Sequence, residues 1–124
     1  VNFEYRAVPA FQQLSALLQQ GWLGDPWLLR FDWLMGSRGN PQRPWNWYSQ
    51  QTLGGGVLGA LGSHAFDMMQ WLVGPVRQVQ AQLSVAISER PKPDGSGLGQ
   101  VDAADTAFAQ LQLEPQSRHL LSGT

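Results

Sequence analysis

The sequence predicts an α+β domain, with helices packed on one face of a mainly antiparallel, open-faced sheet. Three observations carry that prediction. Residues 54–74 hold a strong helical pattern, opened by Gly54-Gly55-Gly56 and closed by Gly74-Pro75. Two later segments, 76–87 and 104–113, alternate apolar and polar residues with the period of a strand. A further helix and two further alternating segments precede them, in the order strand, helix, strand, loop, helix, strand, strand, which points to an α+β layer.

Residues 1–8 alternate briefly and are expected as an extended lead-in. Pro9 then stands where its missing N–H costs nothing, at the first position of a helix over 9–20. Phe11, Leu14, Leu17 and Leu18 supply its apolar face, Gln12, Gln13, Gln19 and Gln20 its wet one, and Gly21 its C-terminal cap. Gly24-Asp25-Pro26 makes a turn. From Trp27 to Leu34 both alternating sets are largely apolar, so a strand covered on both faces near its start is expected.

Residues 35–53 form a long loop broken by Gly36, Gly39, Pro41 and Pro44, and Trp45, Trp47 and Tyr48 load it with rings. Aromatic area of that size has to pack against something. A loop pinned to its own core is the favoured reading; a loop walling a ligand cleft is the sharper one.

In the central pattern Leu58, Leu61, Ala65, Met68 and Leu72 fall on one stripe. Val57, Ala60, His64, Asp67 and Trp71 fall on a second, about a third of a turn round. His64 therefore shares a face with a carboxylate one turn later. An imidazole whose second nitrogen is held by a carboxylate is oriented for proton transfer near neutral pH. Gly55 and Gly56, lacking a Cβ, let other groups approach that face closely. A lone histidine on an apolar helix is more often a core residue than a catalyst, and these neighbours are what raise His64 as the candidate.

In the strand over 76–87, Val79, Ala81, Leu83, Val85 and Ile87 are expected inward, with Gln78, Gln80, Gln82 and Ser84 outward. That polar but uncharged row suits packing against a second subunit. Residues 89–102 read as a mobile Pro/Gly-rich connection, and 104–113 as the antiparallel partner strand. Asp102 and Asp105 read as turn residues entering that strand.

Composition narrows the function classes. The chain has 124 residues, enough for one domain with a core, with 43% hydrophobic residues and a net charge of −1. Eight cations, seven of them arginine, are scattered rather than clustered, so no nucleic-acid partner is expected. Cysteine is absent, which removes disulfides and thiolate metal sites. One His and one Asp are too few ligands for a metal, with His119 the only other histidine. No stretch has 18 consecutive apolar residues and no basic leader opens the chain, so no membrane and a cytoplasmic location are expected. The triple glycine follows a loop, not a strand, and is no dinucleotide fingerprint. Val1 starts without methionine and Ser-Gly-Thr ends just after a strand pattern, so the chain is expected to be a piece of a longer protein.

Taken together, Gly54-Gly55-Gly56-Val57-Leu58, Gly62-Ser63-His64-Ala65-Phe66-Asp67 and Trp71-Leu72-Val73-Gly74 resemble the signature of the glucose-fructose oxidoreductase and inositol 2-dehydrogenase (Gfo/Idh/MocA) family. Asn2-Phe3-Glu4-Tyr5-Arg6, Pro9, Gly21-Trp22-Leu23-Gly24, the Pro-Trp-Asn-Trp loop and Asp105-Thr106 agree with it. The resemblance implies a substrate-binding and oligomerisation domain over 1–124, from a two-domain NAD(P)-dependent dehydrogenase acting on a sugar, polyol or related compound. It implies His64 as the acid/base group, Trp45, Asn46, Trp47, Gly55 and Gly56 at the substrate, and Asp67 as structural support. NAD or NADP and the family's Glu-Lys-Pro lysine would belong to a preceding Rossmann domain, Lys92 being no substitute. This piece alone is then expected to bind no cofactor and to be inactive, and the parent to be a homo-oligomer through the sheet. The chain departs from the family at Ala60, where many members carry the aspartate that partners the histidine. That departure supports an alternative, a non-catalytic relative kept for oligomerisation or ligand sensing.

Overall fold

The computed structural model describes residues 2–114. A 3-10 turn, Glu4–Ala7, leads into helix α1, Pro9–Gln19. A long loop with three further 3-10 turns follows. A π-helical segment, Leu58–Gly62, then runs without a break into helix α2, Ser63–Val73. Strands β1 (Val76–Ser84), β2 (Glu89–Pro91), β3 (Leu98–Gln100) and β4 (Thr106–Leu113) complete the described chain. β1 pairs antiparallel with β4, and β2 with β3. The architecture is α+β with antiparallel pairing.

α1 follows its local signals. Pro9 opens it, its Gln residues lie exposed, and Leu14, Leu17 and Leu18 are at least partly covered. Gly21 takes φ +76° beyond its end, with the Gly21 N–H on Leu18 O (3.1 Å) and the Trp22 N–H on Leu17 O (3.0 Å). Only a residue without Cβ adopts that left-handed turn at no cost.

The antiparallel pair 76–84 with 106–113 forms with Gln78 opposite Gln112, Gln80 opposite Gln110 and Gln82 opposite Phe108. Its other row does not become a covered core. Val79 is 54% exposed, and Leu83 is likewise half-exposed. The buried apolar side chains lie elsewhere, at Met68 and Val73 of α2 and at Val101 and Ala103 just before β4. Alternation reports which side chains share a face, while burial depends on what is laid over that face, and little of the described chain is laid over this ribbon.

Three other expectations are corrected. Within the extended lead-in expected over residues 1–8, Glu4–Ala7 form a 3-10 turn, closed by the Arg6 N–H on Phe3 O and the Val8 N–H on Tyr5 O, both 3.2 Å. Residues 27–34 are extended but form no strand, and Trp27 is 99% exposed rather than covered. A strand needs a neighbour to share its ladder, and no described segment pairs with this one. Residues 89–102, expected as an irregular connection, hold regular structure. They contain the β2–β3 hairpin, turned through Gly95 and Gly97 at positive φ, with the Lys92 N–H on Gly97 O at 2.8 Å.

Candidate functional site

The helix that carries His64 is anchored at its start by backbone. The Val57 N–H donates to Ala104 O (2.7 Å), the Gly56 N–H to Tyr48 O and the Gly55 N–H to Gln50 O (both 2.9 Å). A Cβ on Gly55 would lie 2.6 Å from Trp47 O, and one on Gly56, at φ +92°, 2.8 Å from Ala104 O. The close approach that these glycines permit is therefore to the chain's own 47–48 and 103–104 backbone. Their N–H groups are satisfied internally, so this loop has no free amide row for a pyrophosphate and does not fit a dinucleotide site.

His64 sits one residue inside α2, partly buried among rings. Phe3 and Tyr5 meet its imidazole edge-on, with centroids 6.0 and 5.5 Å away and planes at 86° and 81°. Tyr5 also meets Trp33 at 5.5 Å and Phe11 at 6.2 Å, so these rings form one cluster. The Nδ1 atom is buried and has no hydrogen-bond partner among the described residues.

Asp67 does not hold the imidazole as the shared helical face suggests. Its carboxylate is taken by Arg6, Nε to Oδ2 at 2.9 Å and Nη2 to Oδ1 at 2.6 Å, a two-point fork tying the 3-10 turn to α2. The Arg6 hydrogen bonds hold the Asp67 carboxyl below its ordinary value, against an opposing push from burial and with help from the charges of Arg6 and His64. Arg6 is raised in turn, chiefly by the same hydrogen bonds. An arginine 61 residues upstream wins this carboxylate because its planar fork matches both oxygens at once.

Trp45 pins its loop to the hairpin. Its backbone N–H donates to Pro91 O and its Nε1 to Gln100 O, both 2.8 Å, and its ring lies flush on Gly99, where a Cβ would come within 2.6 Å of it. The Asn46 side-chain oxygen accepts the Tyr48 N–H at 3.0 Å and so caps the next 3-10 turn. Trp47 is 54% exposed, touching Tyr48 edge-on at 5.7 Å. Asn46 is likewise exposed while Trp45 is partly buried, and no ring contact or hydrogen bond among the described residues joins any of the three to His64.

Beside the helix start lies a cavity of about 70 Å³, bordered by Val57, Leu61, Tyr48, Arg38 and Arg90. Arg38 stacks its guanidinium 3.6 Å over the Tyr48 ring. Burial, then the neighbouring charges of Arg43 and Arg90, lower its pKa. Arg90 is buried, with Nη1 on Asn40 O and Nη2 on Arg38 O, both 2.8 Å. Asp102 accepts the Gln51 N–H at 2.8 Å, and Asp105 accepts those of Ala86 (2.8 Å) and Ile87 (2.9 Å), so both serve as backbone caps. His119 lies outside the described residues, and no group of three metal-ligating side chains occurs among those described.

Phe3, Tyr5 and Arg6 are the neighbours that residue-by-residue reading missed. Nothing local in the sequence ties residues 3–6 to residues 64–67.

An α+β domain with a histidine on a glycine-led central helix is the class that fold and site define. A sequence profile of the GFO/IDH/MocA C-terminal domain matches residues 11–122, and the chain belongs to that family. It is 55% identical over 113 residues to the uncharacterized oxidoreductase sll0816 of Synechocystis, a match covering 90% of this chain and 30% of that protein. It is 34% identical over 96 residues to levoglucosan dehydrogenase of Pseudarthrobacter phenanthrenivorans, covering 77% of this chain and 25% of that one. Among solved structures, an NAD binding oxidoreductase from Klebsiella pneumoniae superposes with a TM-score of 0.79 at 30% identity, over 92% of this chain and 30% of that one. Levoglucosan dehydrogenase in complex with NADH and L-sorbose superposes with a TM-score of 0.74 at 28% identity, over 90% and 30%. The chain thus spans about 30% of the length of such relatives. Among the described residues no helix is long and apolar enough to cross a membrane.

Proposed function

We propose that this chain is the substrate-binding part of an NAD(P)-dependent dehydrogenase of sugars, polyols or related compounds, with His64 hydrogen-bonded to the oxygen on the reacting carbon. The observation that carries the reading is His64 itself, an imidazole fixed by two rings on the central helix and engaged in no hydrogen bond among the described residues. Kinship supports it, since a relative acts on levoglucosan and has been solved with NADH and L-sorbose. The glycine loop does not suit a dinucleotide, so the cofactor belongs to the rest of the parent protein, and no residue here is assigned to it.

Trp47 offers its exposed ring as a wall for a sugar, while Trp45 and Asn46 hold the loop that carries it. Gly55 and Gly56 act through shape, letting the 47–48 backbone lie against the helix start. The uncharged row Gln78, Gln80, Gln82 and Ser84, facing Gln112, Gln110, Phe108 and Thr106, is the surface for self-association, as it carries no charge to repel a copy. Light scattering of the full-length parent reads this, and a clean monomer at high concentration refutes it.

The test of the site is His64→Ala in the full-length parent. Turnover per folded molecule falls by about 100-fold or more, the range of general acid–base or hydrogen-bonding catalysis, while cofactor affinity stays near wild type. Unchanged turnover per folded molecule overturns the assignment.

A further inference from the structure

Among the described residues, neither position one turn from His64 on its helix offers the imidazole a free carboxylate. Position 60, one turn before His64, is alanine. Asp67, one turn after, has both oxygens on Arg6. Nδ1 is nonetheless buried, with no partner among the described residues, and the rings of Phe3 and Tyr5 press edge-on against the imidazole. Tyr5 in turn meets the rings of Trp33 and Phe11 edge-on.

A neutral imidazole carries one N–H and one bare nitrogen, and its surroundings choose which is which. A carboxylate on Nδ1 selects the Nδ1–H form and leaves Nε2 as an acceptor. A buried Nδ1 with no acceptor selects the reverse, because a buried N–H without a partner is a rarer and costlier defect than an unused lone pair. We infer that His64 stands as the Nε2–H tautomer, held there by an aromatic clamp of Phe3 and Tyr5, and meets its substrate as a hydrogen-bond donor. Phe3 and Tyr5 are then positioning residues. The preferred partner of such a donor is the carbonyl oxygen of an oxidised sugar or polyol, which is an acceptor only. The inference rests on the reading of His64 as the group that contacts substrate.

The experiment is nitrogen-15 NMR of the full-length parent labelled at histidine, with His64→Gln used to assign the signal. The expected spectrum shows His64 in the Nε2–H form. Ala60→Asp supplies an acceptor one turn away and is expected to convert the ring to the Nδ1–H form. Tyr5→Phe keeps the clamp and the wild-type signal; Tyr5→Ala releases the ring into exchange between forms and lowers kcat with the KM for cofactor unchanged. A wild-type His64 found as Nδ1–H, or unaffected by both Ala60→Asp and Tyr5→Ala, overturns the inference. The tautomer is read whatever the turnover, so failure here is distinct from failure of the functional reading, which His64→Ala tests alone.

Discussion

Arg6 and Asp67, 61 residues apart in sequence, are joined by a two-point ion pair of 2.6 and 2.9 Å. The link clasps the turn that carries Phe3 and Tyr5 onto the helix that carries His64, three residues before Asp67. A contact at the edge of the site therefore fixes the rings at its centre.

Asp67→Asn in the full-length parent is accordingly expected to lower Tm, and the loss should depend on pH. The folded-state carboxyl lies below its ordinary value of 3.8 because Arg6 donates to it. Its contribution is then fully present above that ordinary value and fades as pH falls through the lower folded value. The Tm difference between wild type and variant should be constant from neutral pH down to mildly acidic conditions and shrink in strong acid. A difference that grows on acidification contradicts the ion pair.

Asp105 supports the join between β1 and β4. Burial pushes its carboxyl up, but the N–H groups of Ala86 and Ile87, the Thr106 hydroxyl and the Arg90 charge outweigh it and hold the group low. Asp105→Ala leaves the part-buried Ile87 N–H without its acceptor and the exposed Ala86 N–H to water, and about 1–2 kcal/mol of stability should go with them. A denaturant titration of the full-length variant measures it, and an unchanged midpoint excludes the role.

How much was legible followed the range of the forces. α1 could be read from Pro9 to Gly21 because its start, face and stop signals lie within a dozen residues. The pairing of 76–84 with 106–113 could be read from alternation alone. The turn at Glu4–Ala7 could not, since it is held by a carboxylate far along the chain, and the hairpin at 89–100 could not, since Trp45 seals it from 54 residues upstream of Gly99. At the site, helical spacing put Asp67 on the face of His64 correctly. It could not show that Arg6 competes for that carboxylate, nor that Phe3 and Tyr5 supply the walls.

Gly99 is a place where one methyl group should matter. A Cβ there would fall 2.6 Å from the Trp45 ring, and the ring has little freedom because Nε1 is bonded to Gln100 O. Gly99→Ala should cost about 1–3 kcal/mol, the usual penalty for overpacking, and shift tryptophan emission to the red as the ring is displaced. An unaltered spectrum and midpoint would show that the ring does not pack there.

Trp45 and Trp47 stand two residues apart and should answer differently to the same substitution. Trp45 is bonded at its backbone N–H and at its indole N–H, so Trp45→Ala should lower Tm sharply and reduce activity through the amount of folded protein. Trp47 is 54% exposed and its ring touches only Tyr48 among the described rings. Removing such a surface ring usually changes stability by no more than about 0.5 kcal/mol. If that ring stacks on the sugar, its loss should raise the KM for substrate by about 10-fold, since a stacking contact of about 1.4 kcal/mol corresponds to that factor. The KM for cofactor should not move. Steady-state kinetics on both variants, corrected for folded protein, separates a cleft wall from a loop anchor, and a Trp47→Ala variant with wild-type KM removes that ring from the substrate site.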